Sequence, residues 1–213
     1  PEGERILAFQ DGGLIFARTS VPGERLGEIL VKMGRLSPDD AATIPSLTAS
    51  GAMVGEALVA KRLISHKDLY EALLAQMSHI SLALFPHHDA VFRFEERPRI
   101  VDVDFEMKMY VPQIIELGIR DMDCHPSVIE FLGPRIPVAE NGGSSKTLGV
   151  NEKAVLALFD GRRSAEDLLE SVVMEPKAFW KTLYLLYCLG LADLKEPAPG
   201  PAAESASEKT VES

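Results

Sequence analysis

Cysteine is scarce in this chain, which has only Cys124 and Cys188 among 213 residues. Two cysteines cannot build a disulfide framework, so we expect a reducing, cytoplasmic setting rather than a secreted one. Apolar runs are also short, and none approaches the roughly 20 residues that a membrane span needs. The sequence therefore predicts a protein that is not inserted in a membrane.

Basic residues are outnumbered, because 22 Lys and Arg stand against 32 Asp and Glu and the net charge is −10. General binding to nucleic acid needs a basic surface that displaces counterions, so we expect no nucleic-acid partner. A length of 213 residues allows one large domain or two small ones. The chain begins Pro-Glu-Gly-Glu without Met or a secretory signal, so we expect a fragment of a longer protein.

Two apolar, β-forming stretches lie near the start of the chain, at residues 5–9 and 14–18. Between them stands Gln10-Asp-Gly-Gly13. Asp-Gly supplies the positive φ angles of a tight turn, so the pattern predicts a β-hairpin.

A helical motif then recurs at an offset of 28 residues. Gly23-Glu-Arg-Leu-Gly-Glu-Ile-Leu-Val31 is matched by Gly51-Ala-Met-Val-Gly-Glu-Ala-Leu-Val59. Each copy predicts a short helix, a turn and a second helix capped by a serine, which is Ser37 or Ser65. Pro45 interrupts the second helix of the first copy, so the two copies are not equivalent.

The middle of the chain gives weaker signals. Alternation predicts strands over 90–95 and 100–105, and apolar spacing predicts a helix over 109–122 with Pro112 in its first turn. Further along we expect a short helix over 125–132, a short strand over 136–139 and a loop over 141–147.

The last third of the chain is again helical in pattern. Three helices are predicted, one capped by Asn151, one by Ser164 that runs to about Val173, and one begun by Pro176 that stops at Gly190. A strand over 191–194 follows. The tail from 196 is rich in Pro, Ala, Ser and Glu, and we expect it to be disordered.

These elements predict an α+β fold with two lobes. The first, over 1–122, has a small antiparallel sheet with packed repeat helices. A connecting segment over 123–147 leads to a three-helix, winged-helix-like domain over 148–195, and the tail occupies 196–213.

The first lobe resembles the PATAN-type domain, a bacterial signalling domain. The resemblance covers residues 1–122 and rests on five short motifs: Gln10-Asp-Gly-Gly-Leu-Ile-Phe-Ala17, Glu24-Arg-Leu-Gly-Glu-Ile-Leu30, Val54-Gly-Glu-Ala-Leu-Val59, Leu69-Tyr-Glu-Ala-Leu73 and Phe92-Arg-Phe-Glu95. It implies a protein-interaction or scaffold role in bacterial signal transduction, with no enzymatic activity and no cofactor.

The repeat also resembles the N-terminal domains of type II secretion and type IV pilus ATPases, some of which bind cyclic di-GMP. Arg25-Leu-Gly27 fits the first copy of their motif, whereas Met53-Val-Gly55 lacks the arginine and Arg62 replaces the closing glycine. The ligand-binding residues implied are Arg25, Leu26, Gly27 and Gly55. The competing explanation is that these glycines let helices pack closely.

Catalytic and metal-binding patterns are weak. Zinc sites usually show paired ligands such as Cys-x-x-Cys, and none occurs, so we expect no metal. In the stretch before Lys146, Glu140 and Ser145 occupy the two positions where a phosphate loop requires glycine. Asp102 and Asp104 lie on one side of a predicted strand, where a solvated face explains them. Without a nucleophile signature, we expect no enzyme.

The predicted helix from Pro176 to Leu189 is apolar nearly all round and carries only two lysines, Lys177 and Lys181. This argues against a DNA-reading helix. One face must enter the domain's own core, and the surplus predicts contact with the first lobe or with another chain. The partner-binding residues predicted here are Phe179, Trp180, Tyr184 and Tyr187, and the partner is another protein or a second copy.

Overall fold

The structure is a computed structural model that describes residues 3–49, 51–87, 89–96, 107–140 and 148–197. Contacts between residues divide the chain after Gly118 into two compact units, unit 1 (1–118) and unit 2 (119–213). The fold class is α+β as predicted, with helices packed around small antiparallel sheets. No helix in the described ranges is long and apolar enough to cross a membrane.

Unit 1 begins with the predicted hairpin. Strand β1 (Arg5–Gln10) pairs antiparallel with β2 (Gly13–Thr19). The turn residues Asp11 and Gly12 have φ angles of 48° and 70°, which is the left-handed geometry that Asp-Gly provides. A two-residue strand, β3 (Met109–Tyr110), pairs with the start of β2, so the strand order is β1-β2-β3.

The repeat forms two helix pairs in unit 1. Helices α1 (Leu26–Lys32) and α4 (Val54–Ala60) occupy equivalent positions in the two copies. The second helix of the first copy is broken into α2 (Pro38–Ala42) and α3 (Ile44–Leu47), whereas that of the second copy is the long α5 (His66–Leu82). The break precedes Pro45, as predicted.

The serine caps predicted for both copies are present. Ser37 accepts a hydrogen bond from the Asp40 amide, and Ser65 accepts one from the Asp68 amide. The turn before each cap also matches, because Gly34 has a φ of 67° and Arg62 has a φ of 56° at the equivalent position. The backbone of the repeat is therefore kept although the closing glycine is not.

Two apolar clusters hold unit 1 together. One lies among the repeat helices and includes the fully buried Leu30 and Leu58. The other lies where α5 and α6 (Val111–Asp121) meet the sheet, and its buried members are Leu14, Ala17, Met77, Ile80, Met107 and Ile114. The hairpin is thus held by the same long helix that completes the repeat.

One predicted strand of unit 1 is wrong. Residues 89–96 form neither strand nor helix, and Val91, Phe92 and Phe94 are 100%, 90% and 75% exposed. Alternating side chains make a strand only where a neighbouring backbone completes the hydrogen-bonded ladder, and no strand in the described residues does so here. The strand predicted over 100–105 lies outside the described residues, as do the loop over 141–147 and the tail beyond 197.

Unit 2 contains four helices in its described part, and the order of its elements agrees with the sequence. In chain order, its helices and strands are α7 (Pro126–Leu132), β4 (Ile136–Ala139), α8 (Val150–Leu156), α9 (Ala165–Leu169), α10 (Pro176–Cys188) and β5 (Ala192–Lys195). Two details differ, because Gly149 rather than Asn151 caps α8 and α9 ends at Leu169, before Val173.

Both elements found in the segment predicted as a connector belong to the packing of unit 2. Strand β4 pairs antiparallel with β5, from Ile136 opposite Lys195 to Ala139 opposite Ala192. Helix α7 packs on α10, and its Leu132 is fully buried in the core of unit 2. The described part of 123–147 therefore completes this unit.

Candidate functional site

The glycines of the repeat lie where a second helix approaches. A Cβ on Gly27 would lie 2.4 Å from Ile44 Cδ1, and a Cβ on Gly55 would lie 2.6 Å from Leu69 Cδ1. Both distances are far below a van der Waals contact, so each glycine makes room for an apolar side chain of its own copy. Close helix packing accounts for both positions.

Arg25 is the arginine that the first copy of the motif has and the second lacks, and it is exposed at the start of α1. Its guanidinium donates to the Ser20 carbonyl at 3.0 Å, and its amide donates to Glu28 Oε2 at 3.0 Å. Leu26 beside it is half-buried against the repeat core. The four residues implied as ligand contacts are thus divided between helix packing and an exposed arginine held on its own loop.

A buried ion pair joins the hairpin to the repeat. Arg5 donates from Nε and Nη2 to the two carboxylate oxygens of Glu24, at 2.9 and 2.7 Å. Thr19 Oγ1 donates to the same carboxylate, and Gln76 donates to the Glu24 carbonyl from α5. The hydrogen bond from Arg5 holds the pKa of Glu24 below its usual value, although burial opposes the shift.

The burial of the aromatic side chains on α10 differs from the prediction of exposed partner contacts. Phe179 is fully buried and Trp180 is 5% exposed, and their rings meet edge to face at 5.2 Å in the core of unit 2. Neither ring is available as an exposed anchor. The apolar surplus of α10 is covered within unit 2, because α7, α8 and β5 all pack on it.

The two tyrosines predicted as partner contacts lie nearer the surface. Tyr184 is half-buried, and burial raises its pKa to about 12. Tyr187 is 37% exposed and its ring lies 5.7 Å from that of Phe131 on α7. The guanidinium of Arg135 lies 4.1 Å from the Phe131 ring centroid. Of the predicted set, only Tyr187 therefore belongs to an exposed aromatic surface.

The two thiols and the imidazole of His125 are poorly placed for chemistry. Cys124 and Cys188 are half-buried, and burial raises the pKa of both thiols, which lowers their reactivity at neutral pH. His125 accepts a hydrogen bond from the Ser127 amide as the cap of α7. Among the described residues, no cluster of three or more His, Cys, Asp or Glu is arranged to hold a metal ion.

The lysines of α10 are engaged within unit 2. Lys177 donates to the carboxylate of Asp123, which raises the pKa of Lys177, and Lys181 donates to the Arg120 carbonyl. Both cations are therefore held against neighbouring oxygens of the same unit.

An open apolar concavity lies in unit 1. It is a cleft of about 270 Å³ between α5 and α6, with β3 along one side. Leu117 and Tyr110 are 55% and 45% exposed at its surface. The lining residues are Ser78, Leu82, Lys108, Met109, Tyr110, Gln113, Ile114 and Leu117.

Close backbone approaches position the walls of this cleft. A Cβ on Gly118 would lie 2.3 Å from the Phe85 ring, so α6 comes close to the chain that follows α5. Lys108 lies across Gly13 in the same way, and its ammonium donates to the Asp11 carbonyl at 2.9 Å. With its one lysine tied to the hairpin turn, the cleft is suited to an apolar group rather than to an anion.

Sequence reasoning missed this cleft. Apolar spacing predicts a helix over 109–122, but nothing in that pattern says that Ile114 is buried and Leu117 exposed. The cleft arises only when α6 meets α5, which are far apart in sequence. The one signal in the sequence is the apolar spacing of α6 itself.

Comparison with known proteins yields no match. No family model matches the chain, and neither curated proteins nor solved structures show a significant similarity to it.

Proposed function

We propose that this protein is a non-catalytic adaptor of bacterial signalling or another multiprotein assembly, which docks a partner protein in the cleft between α5 and α6. The observation that carries the proposal is the open apolar cleft rimmed by exposed Leu117 and Tyr110. Exposed apolar surface around a concavity is typical of a protein-docking site. The resemblance to PATAN-type domains implies the same kind of role.

The size and lining of the cleft favour a partner side chain over a metabolite. Its volume is about 270 Å³. Small-molecule sites usually have volumes of about 300–1,000 Å³, so this cleft is smaller than most of them. Leu82, Met109 and Ile114 offer apolar surface, while Ser78 and Gln113 offer hydrogen bonds. An aliphatic or aromatic anchor of a partner, flanked by polar groups, fits this arrangement.

Comparative affinity capture from the native cells tests the proposal. The bait is the wild-type chain, a Leu117→Asp variant or a Val173→Asp control, since Val173 is fully exposed in unit 2. We expect a stoichiometric partner with wild type and with the control, and at least a tenfold loss with Leu117→Asp, because a charge in a docking core is strongly unfavourable. Equal recovery by all three baits, or no partner with any, contradicts the proposal.

A second candidate function is cyclic di-GMP sensing through Arg25, Leu26 and Gly27. It is favoured by one observation, the matching backbone of the two copies, in which Gly23 and Gly51 have φ angles of 88° and 87°. Calorimetry with the dinucleotide tests it. Binding that is lost in Arg25→Ala and kept in the exposed-residue control Lys61→Ala supports the sensor, and the absence of heat at high ligand concentration removes it.

A further inference from the structure

Among the described residues of unit 1, 91–95 form the most exposed apolar segment. Its sequence is Val-Phe-Arg-Phe-Glu, and Val91, Phe92 and Phe94 are 75–100% exposed. In an extended chain Phe92 and Phe94 lie on one face, and Arg93 and Glu95 lie on the other. The latter two form an ion pair of 2.6 Å. Residues 92–95 therefore have the alternation of a half-buried strand and lack the burial of one.

Unit 1 also has an open sheet edge. Strand β1 is the outer strand in the order β1-β2-β3, and no described strand pairs with its other side. The Ser20 amide donates to the Glu4 carbonyl, so Glu4 and Ser20 form a hydrogen-bonded pair. The next pair along the strands is Arg5 opposite Thr19. Because such pairs alternate, the backbone groups of Arg5 and Leu7 point away from β2. Among the described residues no strand covers them, so they form an open row of donors and acceptors.

Nothing in the sequence of β1 protects this edge. Natural edge strands are usually blunted by proline, by inward-pointing charge or by lysine. Residues 6–9 are Ile-Leu-Ala-Phe, and the one charge in the strand, Arg5, is taken up by Glu24. The edge is therefore open to an added strand.

The side chains of the two elements are complementary. Ile6 and Ala8 share one face of the sheet, and Phe16 lies on the same face opposite Ala8. A strand added beside β1 with Arg93 level with Leu7, in either direction, places Phe92 and Phe94 next to this apolar row. Burial of these rings extends the sheet face and covers half-buried Ile6 and Phe16.

We propose that residues 91–95 of one copy add as a strand to the open edge of β1 in a second copy, and that the exchange is reciprocal. Each copy carries both the exposed segment and the open edge, which is the requirement for a two-fold symmetric interface. Two phenylalanines from each copy, with the surface that they cover, amount to on the order of 1,500 Å². That is the area of a standard stable interface.

This contact is separate from the proposed docking cleft. The cleft includes β3, at one end of the strand order, whereas the open edge belongs to β1 at the other end. Failure of one proposal leaves the other standing.

Light scattering coupled to size exclusion, over a wide range of protein concentration, measures the association. We expect twice the 23.3 kDa of one chain for wild type at high concentration. The double variant Phe92→Asp/Phe94→Asp should remain at the mass of one chain. The double control Val150→Asp/Val173→Asp, at two exposed valines of unit 2, should associate as wild type does.

A second pair of variants tests the sheet edge itself. Leu7→Pro removes an N–H that points away from β2, whereas Leu7→Ala loses comparable packing and keeps it. Association lost in Leu7→Pro and kept in Leu7→Ala supports strand addition, and amide exchange of Leu7 should slow as concentration rises. A wild-type chain that stays monomeric overturns the proposal, whether its Leu7 amide is open or protected. So does association that survives Phe92→Asp/Phe94→Asp.

Discussion

At the scale of single residues, the repeat motif is explained by packing geometry. Gly27 and Gly55 occupy equivalent positions, yet their surroundings differ. A Cβ on Gly27 meets only the terminal methyl of half-buried Ile44, while a Cβ on Gly55 lies within 3.4 Å of three atoms of buried Leu69. The same glycine therefore carries a different structural demand in each copy.

This difference predicts unequal effects of substitution by alanine. Replacing a helical glycine by alanine gains about 1 kcal/mol of helix propensity, and overpacking a buried neighbour costs about 1–3 kcal/mol. We expect Gly27→Ala to be close to neutral, because Ile44 can rotate away, and Gly55→Ala to be less stable by about 1–2 kcal/mol. Urea unfolding of both variants measures this. Equal stability of the two would contradict the packing explanation.

Trp180 offers a second residue-scale prediction, since it is the only tryptophan of the chain and is 5% exposed. A buried indole emits at shorter wavelength and is poorly reached by aqueous quenchers. We expect blue-shifted emission and weak quenching by iodide in the native protein, both reversed by denaturant. Red-shifted native emission with strong quenching would contradict the burial of Trp180 and would agree with the partner-binding role that the sequence predicts for it.

At the scale of elements, one ion pair fastens the hairpin to the helices. Arg5 lies on β1 and Glu24 precedes α1, and Gln76 of α5 reaches the Glu24 backbone. Side-chain exposures of 11% and 8% place the pair in the interior. Removing one partner leaves the other charge buried without compensation.

Glu24→Gln should therefore lower the free energy of unfolding by about 3 kcal/mol at neutral pH. Because the pKa of Glu24 is lowered by folding, its stabilising effect is complete above the ordinary value of 4.5 and is lost as pH falls through the folded pKa. Urea unfolding from pH 7 to pH 3 should show the gap between wild type and variant closing at the acid end.

The matched control for this experiment is Glu56→Gln, which changes an exposed glutamate on α4. We expect its effect to stay within about 0.5 kcal/mol, as for most surface substitutions. A control as damaging as Glu24→Gln, or a gap for Glu24→Gln that widens on acidification, would refute the role given to the ion pair.

The elements that sequence predicted well are those with local causes. Asp11 and Gly12 specify the hairpin turn, and Ser37 and Ser65 mark helix starts through bonds to amides three residues on. Strand β3 was missed because it is two residues long and exists only through its pairing with β2. The burial of Trp180 was missed because an apolar helix does not reveal which neighbour covers it.

At the scale of the whole molecule, the net charge of −10 belongs to a chain with two separately packed units. Unit 1 carries two exposed apolar features, the cleft between α5 and α6 and the segment over 91–95. Of the aromatic residues expected to bind a partner in unit 2, Phe179 and Trp180 instead lie in its core and Tyr184 is half-buried against it, while Tyr187 is exposed. The surfaces proposed for partner binding therefore lie in unit 1 rather than on α10.

Site-specific photo-crosslinking in the native cells tests the adaptor proposal most directly. A photoreactive phenylalanine analogue replaces Gln113, which is exposed in the cleft lining, or Val173 as the control position. We predict a discrete protein adduct from position 113 that disappears when Leu117→Asp is added, and none of that mass from position 173. No adduct at position 113, or one that persists with Leu117→Asp, would contradict docking in the cleft.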